Sequence, residues 1–385
     1  MLIVPLTHKA AGHDGPMQTV DGSLFIKPST AQEIEFYNQA QEKRMHIHED
    51  VSYGEQLADW MPEYVGALYP GASDDLLMKS GGAIDESTLL KATDTAEIEG
   101  NRQYLVLGNC LHGFQQPSII DIKLGSILYD ESASPEKVER MKNVSRTTTS
   151  GSLQFRIAGM VIKDDFNGEM PTSVKGINMP DVCLKDKNKG CLTFNKDFGR
   201  KLTTENVQQG LELFFRYNKL PRENQNQLIE TFHARLQMLY NCLLGEEIRV
   251  VSGSLLFVYE NDLSRWEASD YFDPILNPPT IFEEEDEDAE MEEDMFQRKD
   301  TARKGIEKTE TAERLKFIEQ ETIGEIEVDE EETEEEEDEK RQTPLSTLKL
   351  IDFAHAKYTP HQGYDEEVVA GVENIFNILE KMLQS

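Results

Sequence analysis

An aspartate and a lysine, Asp121 and Lys123, lie two positions apart in the stretch PSIIDIKLGSILYD at residues 117–130. The isoleucines and leucines around them are typical of a buried β-strand, whose side chains point alternately to opposite faces. The aspartate and the lysine therefore share one face, about 7 Å apart along the chain, and apolar side chains take the other. This arrangement suits the binding of a charged ligand, but it is equally expected of a simple ion pair at a sheet edge.

A second carboxylate, that of Asp352, ends the apolar stretch LKLID at residues 348–352. A carboxylate in such a place is costly unless it is paired or holds a cation. Many phosphotransferases hold Mg²⁺ with an aspartate at a strand end beside a phosphate site. His355 follows three residues later. A sharp turn there either directs the histidine into the same cleft or is merely capped by it.

A lysine near the N-terminus, Lys27, lies late in the apolar stretch SLFIKP, and the helical segment after it carries Glu33 and Glu35. Kinase-type folds use a strand lysine held by a helix glutamate to direct an ammonium group at the α- and β-phosphates. A lone strand lysine is otherwise usually solvated. Together with the two stretches above, Lys27 completes a set suited to phosphoryl transfer, in which catalysis is mostly positioning and charge neutralisation.

Several absent patterns narrow the class of protein. The sequence contains no GxxxxGK(S/T) P-loop and no HRDxxxxN catalytic loop, so P-loop enzymes and ordinary protein kinases are excluded. The four cysteines form no CxxC pair, which argues against a zinc site and favours a reducing compartment. No stretch approaches 18 apolar residues and no signal peptide is recognisable, so we expect no transmembrane segment and no secretion.

Hydrophobic periodicity predicts strands and helices over most of the chain. The predicted strands span residues 23–28, 103–109, 117–124, 152–162, 249–260 and 348–356. The predicted helices span residues 31–40, 134–146, 204–219, 222–245 and 365–384. Ser134 and Pro135 are the expected N-cap and first-turn residues of the second helix. Residues 41–58 and 70–100 are polar and rich in Gly, Asp and Ser, which predicts loops.

The net charge of −34 is concentrated in one segment. Residues 281–346 hold 28 acidic and 9 basic residues, a net charge of −19, and include the acidic runs 283–294 and 325–339. Such runs repel one another and cannot bury apolar surface, so this segment is predicted to be a disordered insert. It is a candidate surface for basic partner proteins, with a functionally silent, solubilising insert as the alternative.

Several stretches in order resemble one known family. Residues 117–125 match PxxxDxKxG, the signature of the inositol polyphosphate kinases. The stretches TTTSGSLQFRIAGM at 147–160, FGRKLT at 198–203, SGSLLFVYE at 252–260 and IDFAH at 351–355 are also similar to that family. The resemblance covers nearly the whole chain outside the acidic insert and the loops. Within the family, HKAAGHDG and YDESASPEKVERM look most like the fungal inositol polyphosphate multikinases, which are associated with the control of arginine metabolism.

The resemblance implies an α+β fold. It would be a two-lobed, kinase-like ATP-binding fold with antiparallel sheets and flanking helices. Residues 1–109 would form the N-terminal lobe, with a hinge at 107–111. Residues 112–385 would form the C-terminal lobe, including an inositol-phosphate-binding segment at 130–203 and the disordered acidic insert at 281–346.

The resemblance also assigns roles in binding ATP. Lys27 would contact the ATP phosphates with support from Glu33, and Asp121 would hold the ribose hydroxyls. The adenine would meet backbone groups of Gly108 and Cys110. The family's hinge usually reads Glu followed by Asn or Asp after LVL, so Gly108 is a departure that removes a side chain and adds backbone freedom.

Two residues carry the expected catalytic roles. Lys123 would sit between the γ-phosphate and the inositol phosphate and neutralise charge as the phosphoryl group transfers. Asp352 would bind Mg²⁺, together with the Ser254 hydroxyl. The cofactors implied are therefore ATP and Mg²⁺.

Basic residues near the signature are candidates for binding the substrate. Residues 117–163 contain seven basic and five acidic residues in a chain that is otherwise strongly acidic. Lys137 and Arg140 lie near one face of the predicted helix 134–146. Because inositol phosphates are polyanions, we expect these two residues and Arg200 to meet substrate phosphates, and the resemblance adds His355. The alternative for each basic residue is a solvated surface charge.

The resemblance thus favours an ATP-dependent inositol polyphosphate multikinase acting on inositol tris- and tetrakisphosphate. The alternatives are a nuclear scaffold that works through the acidic insert, and an inositol hexakisphosphate kinase. The expected partners are inositol phosphates and transcription factors or other basic nuclear proteins, with no direct contact to nucleic acid. The expected location is the nucleus and the cytoplasm.

Overall fold

The computed structural model describes residues 3–6, 15–45, 52–68, 103–166, 169, 174–186, 188–276 and 344–384. By contacts, the chain divides into one unit of Met1–Pro278 with Thr343–Ser385 and a second unit of Pro279–Gln342. The fold and the candidate site described below belong to the first unit. The two runs of the predicted acidic insert lie outside the described residues, as does the whole predicted loop at 70–100.

The first sheet has five antiparallel strands in the order β1-β2-β3-β5-β4. These strands are β1 (Ile3–Pro5), β2 (Met17–Thr19), β3 (Leu24–Ser29), β4 (Tyr64–Leu68) and β5 (Gln103–Gly108). Two helices accompany them, α1 (Ala31–Met45) and α2 (Leu57–Trp60). Helix α1 buries Ile34, Tyr37 and Ala40, the apolar spacing from which it was predicted, but it runs five residues beyond the predicted end.

The second sheet has six antiparallel strands in the order β12-β11-β6-β7-β9-β8. These strands are β6 (Pro117–Leu124), β7 (Phe155–Lys163), β8 (Cys183–Asp186), β9 (Cys191–Phe194), β11 (Ser254–Glu260) and β12 (Ser346–Ile351). A separate pair joins β10 (Ile248–Val250) to β13 (Ala356–Tyr358). The predicted signature strand is therefore central in its sheet, because β6 lies between β11 and β7.

The remaining helices follow β6 in the chain. They are α3 (Pro135–Thr147), α4 (Thr149–Leu153), α5 (Met179–Val182), α6 (Lys196–Lys201), α7 (Val207–Arg216), α8 (Arg222–Gly245), α9 (Leu263–Ala268) and α10 (Glu366–Leu383). Helices α8 and α10 pack against each other, and α10 also contacts β6 and β7. Ser134 caps α3 as predicted, since its side chain accepts a hydrogen bond from the Lys137 amide. Among the described helices, none combines the length and apolarity needed to cross a bilayer.

The predicted α+β class is thus confirmed, whereas two predicted strands are too long. The strand predicted at 249–260 is interrupted at Ser252, which has φ of +60° and separates β10 from β11. The strand predicted at 348–356 ends at Ile351 because Asp352 has φ of +67°. Periodicity does not reveal either break, because a left-handed residue leaves the apolar pattern around it intact.

The predicted acidic insert also extends too far at its C-terminal end, since Leu345 is only 3% exposed and its carbonyl accepts a hydrogen bond from the Glu260 amide. Ser346, its last predicted residue, is the first residue of β12 and is fully buried. The predicted boundary between two lobes at 107–111 falls between β5 and β6 and stays a prediction.

A buried arginine of α8 holds the two chain ends that flank residues 277–343. Arg235 is only 2% exposed, and its guanidinium donates to the carbonyls of Ile275 at 2.6 Å and Pro274 at 2.8 Å. It also donates to the Ser346 hydroxyl at 2.6 Å and lies 3.7 Å from the Asp273 carboxylate. We call Arg235, Asp273 and Ser346 the Arg235 cluster. It joins Asp273–Ile275 to the start of β12, so the two chain ends that flank residues 277–343 lie together.

A second buried ion pair holds the connection between β5 and β6. The Glu260 carboxylate is fully buried and accepts hydrogen bonds from the amides of Gln115 at 2.7 Å and Gln116 at 2.9 Å. Arg265 donates to Glu260 at 2.8 Å and to the carbonyl of Gly113 at 2.6 Å. The chain that links the two sheets is therefore bound to the end of β11.

The glycine of the FGRKLT stretch is required by a close backbone approach. A Cβ atom at Gly199 in α6 would lie 1.7 Å from the carbonyl oxygen of Ile157 in β7. We therefore expect Gly199→Ala to lower the free energy of unfolding by about 1–3 kcal/mol or more, because α6 must move away from the sheet. Gly245→Ala is the matched control, since nothing lies within 4 Å of a Cβ there. Urea unfolding that shows equal stability for the two variants would contradict this prediction.

Candidate active site

Three charged side chains from separate strands meet in one cluster. Lys27 comes from β3, Lys123 from β6, and Asp352 follows the last residue of β12. One oxygen of the Asp352 carboxylate lies 3.4 Å from the Lys27 ammonium, and the other lies 3.5 Å from the Lys123 ammonium. The sequence placed these residues up to 325 positions apart, and the fold brings their charges into direct contact.

The backbone at Asp352 directs its carboxylate between the two lysines. Its φ of +67° is in the left-handed region, which aspartate tolerates better than most residues. Burial acts to raise the pKa of Asp352, but the charges of Lys123 and Lys27 outweigh it and hold the pKa below its ordinary value. The carboxylate is therefore ionised through the physiological pH range.

The Lys27 ammonium is held by the helix that follows its strand. Its Nζ lies 2.7 Å from Glu33, a residue only 2% exposed. Glu33 also accepts hydrogen bonds from the Ser29 hydroxyl at 2.7 Å and the Phe353 amide at 3.0 Å. Burial acts to lower the pKa of Lys27, but Glu33 and Asp352 raise it above its ordinary value. Of the two glutamates considered from the sequence, Glu33 contacts Lys27, whereas Glu35 is exposed.

Asp121 and Lys123 share a face of β6, as their spacing predicts. The Lys123 ammonium donates to the Ser252 carbonyl at 3.1 Å and to the Ser254 hydroxyl at 3.2 Å. Asp121 is 6% exposed, and its buried Oδ1 has no hydrogen-bond partner among the described residues. Burial raises the pKa of Asp121, although the Lys123 charge acts to lower it. A simple ion pair does not explain an unpartnered buried oxygen, which points instead to a ligand.

The oxygen atoms around this cluster suit a hard divalent cation. Asp121 and Asp352 supply carboxylates, and the buried Ser254 supplies a hydroxyl on the same face. No group of three or more His, Cys, Asp or Glu side chains that could hold a metal occurs in the described part of the chain. Mg²⁺ is typically bound by one or two carboxylates together with the substrate's phosphates, so the residues present fit that ion when phosphates are bound.

The raised pKa of Asp121 has a consequence for stability. The folded protein binds this proton more tightly than the unfolded chain, so stability from this group is present at low pH and is lost as the pH rises through the folded-state pKa. We therefore expect Asp121→Asn to raise the Tm at neutral pH, with a smaller difference from the parent as the pH is lowered. Melting curves from pH 4 to 8 test this.

The matched control is Asp130, whose pKa is lowered in the folded protein rather than raised. Hydrogen bonding from the Ser132 hydroxyl is the main cause that lowers the pKa of Asp130. Asp130→Asn should therefore lower the Tm at neutral pH, and the deficit should shrink as the pH falls through the folded-state pKa. Differences of the same sign for the two variants would count against this account.

The residues predicted to meet the adenine lie at the end of β5. The Gly108 amide donates to the carbonyl of Glu63 at 2.8 Å, so any backbone contact from Gly108 to a base has to come from its carbonyl. Cys110 is partly buried, and burial raises the pKa of its thiol. Asn109 follows β5 and is held by hydrogen bonds to Gly22 and Ser23.

The predicted substrate residues fall into two groups. His355 contacts the carboxylate of Asp130 through Nδ1, and the charge of Lys137 also acts on Asp130. Arg140 lies one turn along α3 from Lys137 and is exposed. Helix α3 buries none of its residues, so its basic side chains are open to a ligand.

The second group lies across the sheet from Lys123. Arg156 of β7 is the cross-strand partner of Lys123, and its guanidinium donates to the Ser150 hydroxyl at 3.1 Å. Burial, followed by the charge of Arg200, lowers the pKa of Arg156, which places Arg200 in the same electrostatic environment. Arg200 itself pairs with Asp197 at 3.2 Å. Arg156 was not singled out as a site residue from the sequence, and the register of β6 against β7 is the signal that identifies it.

The comparison with protein families defines the class to which this site belongs. The profile of the family described as inositol polyphosphate kinase matches residues 104–380, which include β6, α3, β12 and Asp352. The match covers more than half of the chain and confirms the resemblance of the sequence motifs. The chain belongs to the inositol polyphosphate kinase family.

Individual relatives give a finer comparison. The chain is 38% identical over 382 residues to the inositol polyphosphate multikinase of Saccharomyces cerevisiae, covering 98% of this chain and 97% of the relative. It is 29% identical over 252 residues to the inositol polyphosphate multikinase of Schizosaccharomyces pombe, covering 66% of this chain and 77% of the relative.

A solved structure shares the fold. The crystal structure of the Saccharomyces cerevisiae inositol phosphate multikinase Ipk2, in complex with ADP and Mn²⁺, matches with a TM-score of 0.61 and 32% sequence identity. The alignment covers 94% of this chain and 100% of that chain. This likeness confirms the predicted kinase-like fold.

Proposed function

We propose that this protein is an ATP- and divalent-metal-dependent inositol polyphosphate multikinase. It transfers the γ-phosphoryl group of ATP to hydroxyls of inositol tris- and tetrakisphosphate. The observation that carries the proposal is the Asp352 carboxylate held between the Lys27 and Lys123 ammonium groups. The similarity over 98% of the chain to a protein named a multikinase, and to a structure containing ADP and Mn²⁺, supports it.

The cluster suggests a division of roles for the nucleotide. Lys27, fixed by Glu33, neutralises the phosphates of ATP. Asp121 accepts hydrogen bonds from the ribose hydroxyls, which would satisfy its unpartnered Oδ1. Asp352 and Ser254 would hold a divalent cation, which would supply positive charge to the phosphates when bound.

The acceptor substrate lies on the side of Lys123 opposite to the ATP phosphates. As the hydroxyl oxygen bonds to the γ-phosphorus, the bond from that phosphorus to ADP breaks, and Lys123 stabilises the negative charge on the transferring group. Arg156 and Arg200 extend positive charge along the face of β7. Lys137, Arg140 and His355 bind phosphates that project from the inositol ring, and the contact with Asp130 orients the His355 imidazole.

The direct test supplies the purified protein with Mg·ATP and inositol 1,4,5-trisphosphate and separates the products by charge. Stepwise appearance of tetrakis- and pentakisphosphate is the expected result. Product that stops at tetrakisphosphate would show a narrower 3-kinase activity. Turnover of the hexakisphosphate in preference to the trisphosphate would favour the hexakisphosphate kinase alternative. Absence of turnover in a folded protein that still binds ATP would overturn the proposal.

We also propose, from the sequence of the acidic insert, that the protein binds basic nuclear proteins such as transcription factors and works in both nucleus and cytoplasm. Two strongly acidic runs at 283–294 and 325–339 are the feature that favours this. Deleting residues 283–339 should spare inositol phosphate turnover and abolish co-purification of such partners from nuclear extract. Unchanged partner recovery would refute the interaction role.

A further inference from the structure

The strands of the two sheets give the direction in which a bound nucleotide would extend from the candidate active site. Lys27, Lys123 and Asp352 mark the end at which phosphates bind. Phe25 lies two residues from Lys27 on the same face of β3. In β3 this direction leads from Lys27 toward the end of β5, where Gly108 pairs with Leu24. Lys349 of β12 lies in register with Leu256 and Asp121, on the face of the second sheet that carries Lys123. Lys349 is linked to the same end of β5 by its electrostatic interaction with Cys110. A nucleotide base attached to those phosphates therefore lies beside Gly108 and Lys349.

The Glu63 carboxylate occupies the space beside Gly108. A Cβ atom at Gly108 would lie 3.1 Å from Glu63 Cβ and 3.3 Å from Glu63 Oε2. The missing side chain at Gly108 thus makes room for an acid from the neighbouring chain segment. No hydrogen bond or ion pair joins this carboxylate to another described side chain, so its oxygens are available as acceptors.

The Lys349 ammonium approaches the same position beside Gly108 from the second sheet. In the register of the sheet, Lys349 is in line with Leu256 and Asp121, on the face that carries Lys123. Its Nζ donates one hydrogen bond, to the Asp59 carbonyl at 2.8 Å, and an ammonium group has three protons to donate. Donors therefore remain for a ligand.

The carboxylate and the ammonium act on each other without forming an ion pair. Burial raises the pKa of Glu63, and the charge of Lys349 is the largest influence acting to lower it. Burial lowers the pKa of Lys349, and the Cys110 thiol is the largest influence acting to raise it. Lys349 is therefore within electrostatic reach of Glu63 and bonds the Asp59 carbonyl four residues before it, but no Glu63 oxygen comes within 4.0 Å of the Lys349 nitrogen to form a salt bridge. The acceptor and the donor therefore do not neutralise each other by direct contact.

We propose that Glu63 and Lys349 read the N6/N7 edge of the adenine base and so determine the nucleotide specificity of this kinase. Adenine presents an N6 amino donor next to an N7 acceptor, whereas guanine presents two acceptors, O6 and N7. The Glu63 carboxylate accepts from N6, and the Lys349 ammonium donates to N7. A 6-keto purine places a carbonyl against the carboxylate and is rejected. The inference rests on the proposed function for the placement of ATP in this cleft.

Two nucleotide analogues separate the two contacts. 7-Deaza-ATP lacks the N7 acceptor, and ITP carries a carbonyl in place of the N6 amino group. We expect the parent protein to use each analogue on the order of tenfold or more less efficiently, as kcat/KM, than ATP. Lys349→Met should remove the preference for ATP over 7-deaza-ATP, and Glu63→Gln should reduce the preference for ATP over ITP by a similar factor.

The control is a lysine outside the cleft. Lys185 of β8 pairs with Asp164 at 2.9 Å, and Lys185→Met should retain both preferences. If Lys349→Met lowers kcat/KM for ATP and 7-deaza-ATP by the same factor, Lys349 only holds α2 through Asp59, and the inference is overturned. If Lys349→Met does not fold, the ITP preference of Glu63→Gln and the 7-deaza-ATP preference of the parent still decide.

Calorimetric titration with ADP, 7-deaza-ADP and IDP, in the absence of any inositol phosphate, separates this inference from the proposed function. Tighter binding of ADP than of both analogues supports base reading even if inositol phosphates are not phosphorylated. Equal binding of the three diphosphates by the parent protein overturns the inference even if the kinase activity is present.

Discussion

Asp352→Asn is expected to reduce kcat by about 10²- to 10³-fold while leaving the fold intact. The carboxylate is the only group that contacts both Lys27 and Lys123 among the described residues, and it is the proposed metal ligand. Asparagine keeps its size and tolerates the left-handed backbone, so the loss comes from the missing charge. Steady-state rates at saturating Mg·ATP and inositol phosphate, with a melting curve for each protein, measure the effect.

Asp270 offers a control with nearly the same backbone. It follows α9, is exposed, and has φ of +52°. Asp270→Asn makes the same chemical change in a left-handed residue away from the cluster, and it should leave kcat unchanged. A loss of less than tenfold in Asp352→Asn would remove Asp352 from the catalytic role.

Arg235→Met is expected to lower the free energy of unfolding by about 3–5 kcal/mol. The substitution leaves Asp273 buried without its cation and removes the donors to the carbonyls of Pro274 and Ile275. The cost is large because an unpaired buried charge and two unsatisfied carbonyls are created together. Urea unfolding followed by circular dichroism gives the value.

The double variant Arg235→Met/Asp273→Asn tests the cause. Removing the charge at Asp273 should recover part of the stability, because the remaining amide is cheaper to bury than a carboxylate. A double variant that is less stable than Arg235→Met alone would show that the loss arises from packing rather than from the unpaired charge.

Much of the cluster could be predicted because strand periodicity is strict. The alternation around Asp121 and Lys123 places both on one face, and the structure confirms that Ile120, Ile122 and Leu124 take the buried face. The sequence predicted a sharp turn after Asp352, but not the left-handed φ of Asp352 itself, because that backbone angle accompanies contacts of the carboxylate with residues far away in sequence.

The residues that the sequence did not reveal depend on register and on neighbouring segments. Arg156 is identified only when β7 is aligned with β6, and a bulge at Asp121 and Ile122 shifts that alignment by one residue. Lys349 alternates correctly in the sequence, but its place beside Glu63 requires the segment before β4 to pack on β12. Such long-range arrangements leave no periodic trace in the chain.

Hydrogen bonds hold the connection between β5 and β6 at Asn109 and again at Gln115 and Gln116. The hydrogen bonds to Gly22 and Ser23 fix its first residue, and Glu260 fixes its last two. Between these anchors, Arg265 holds the Gly113 carbonyl and Asn109 holds the amides of Leu111 and His112, so few of the remaining backbone torsions are free to rotate. Since the predicted hinge at 107–111 overlaps this connection, a substitution in it should alter the rate of nucleotide exchange without touching either sheet.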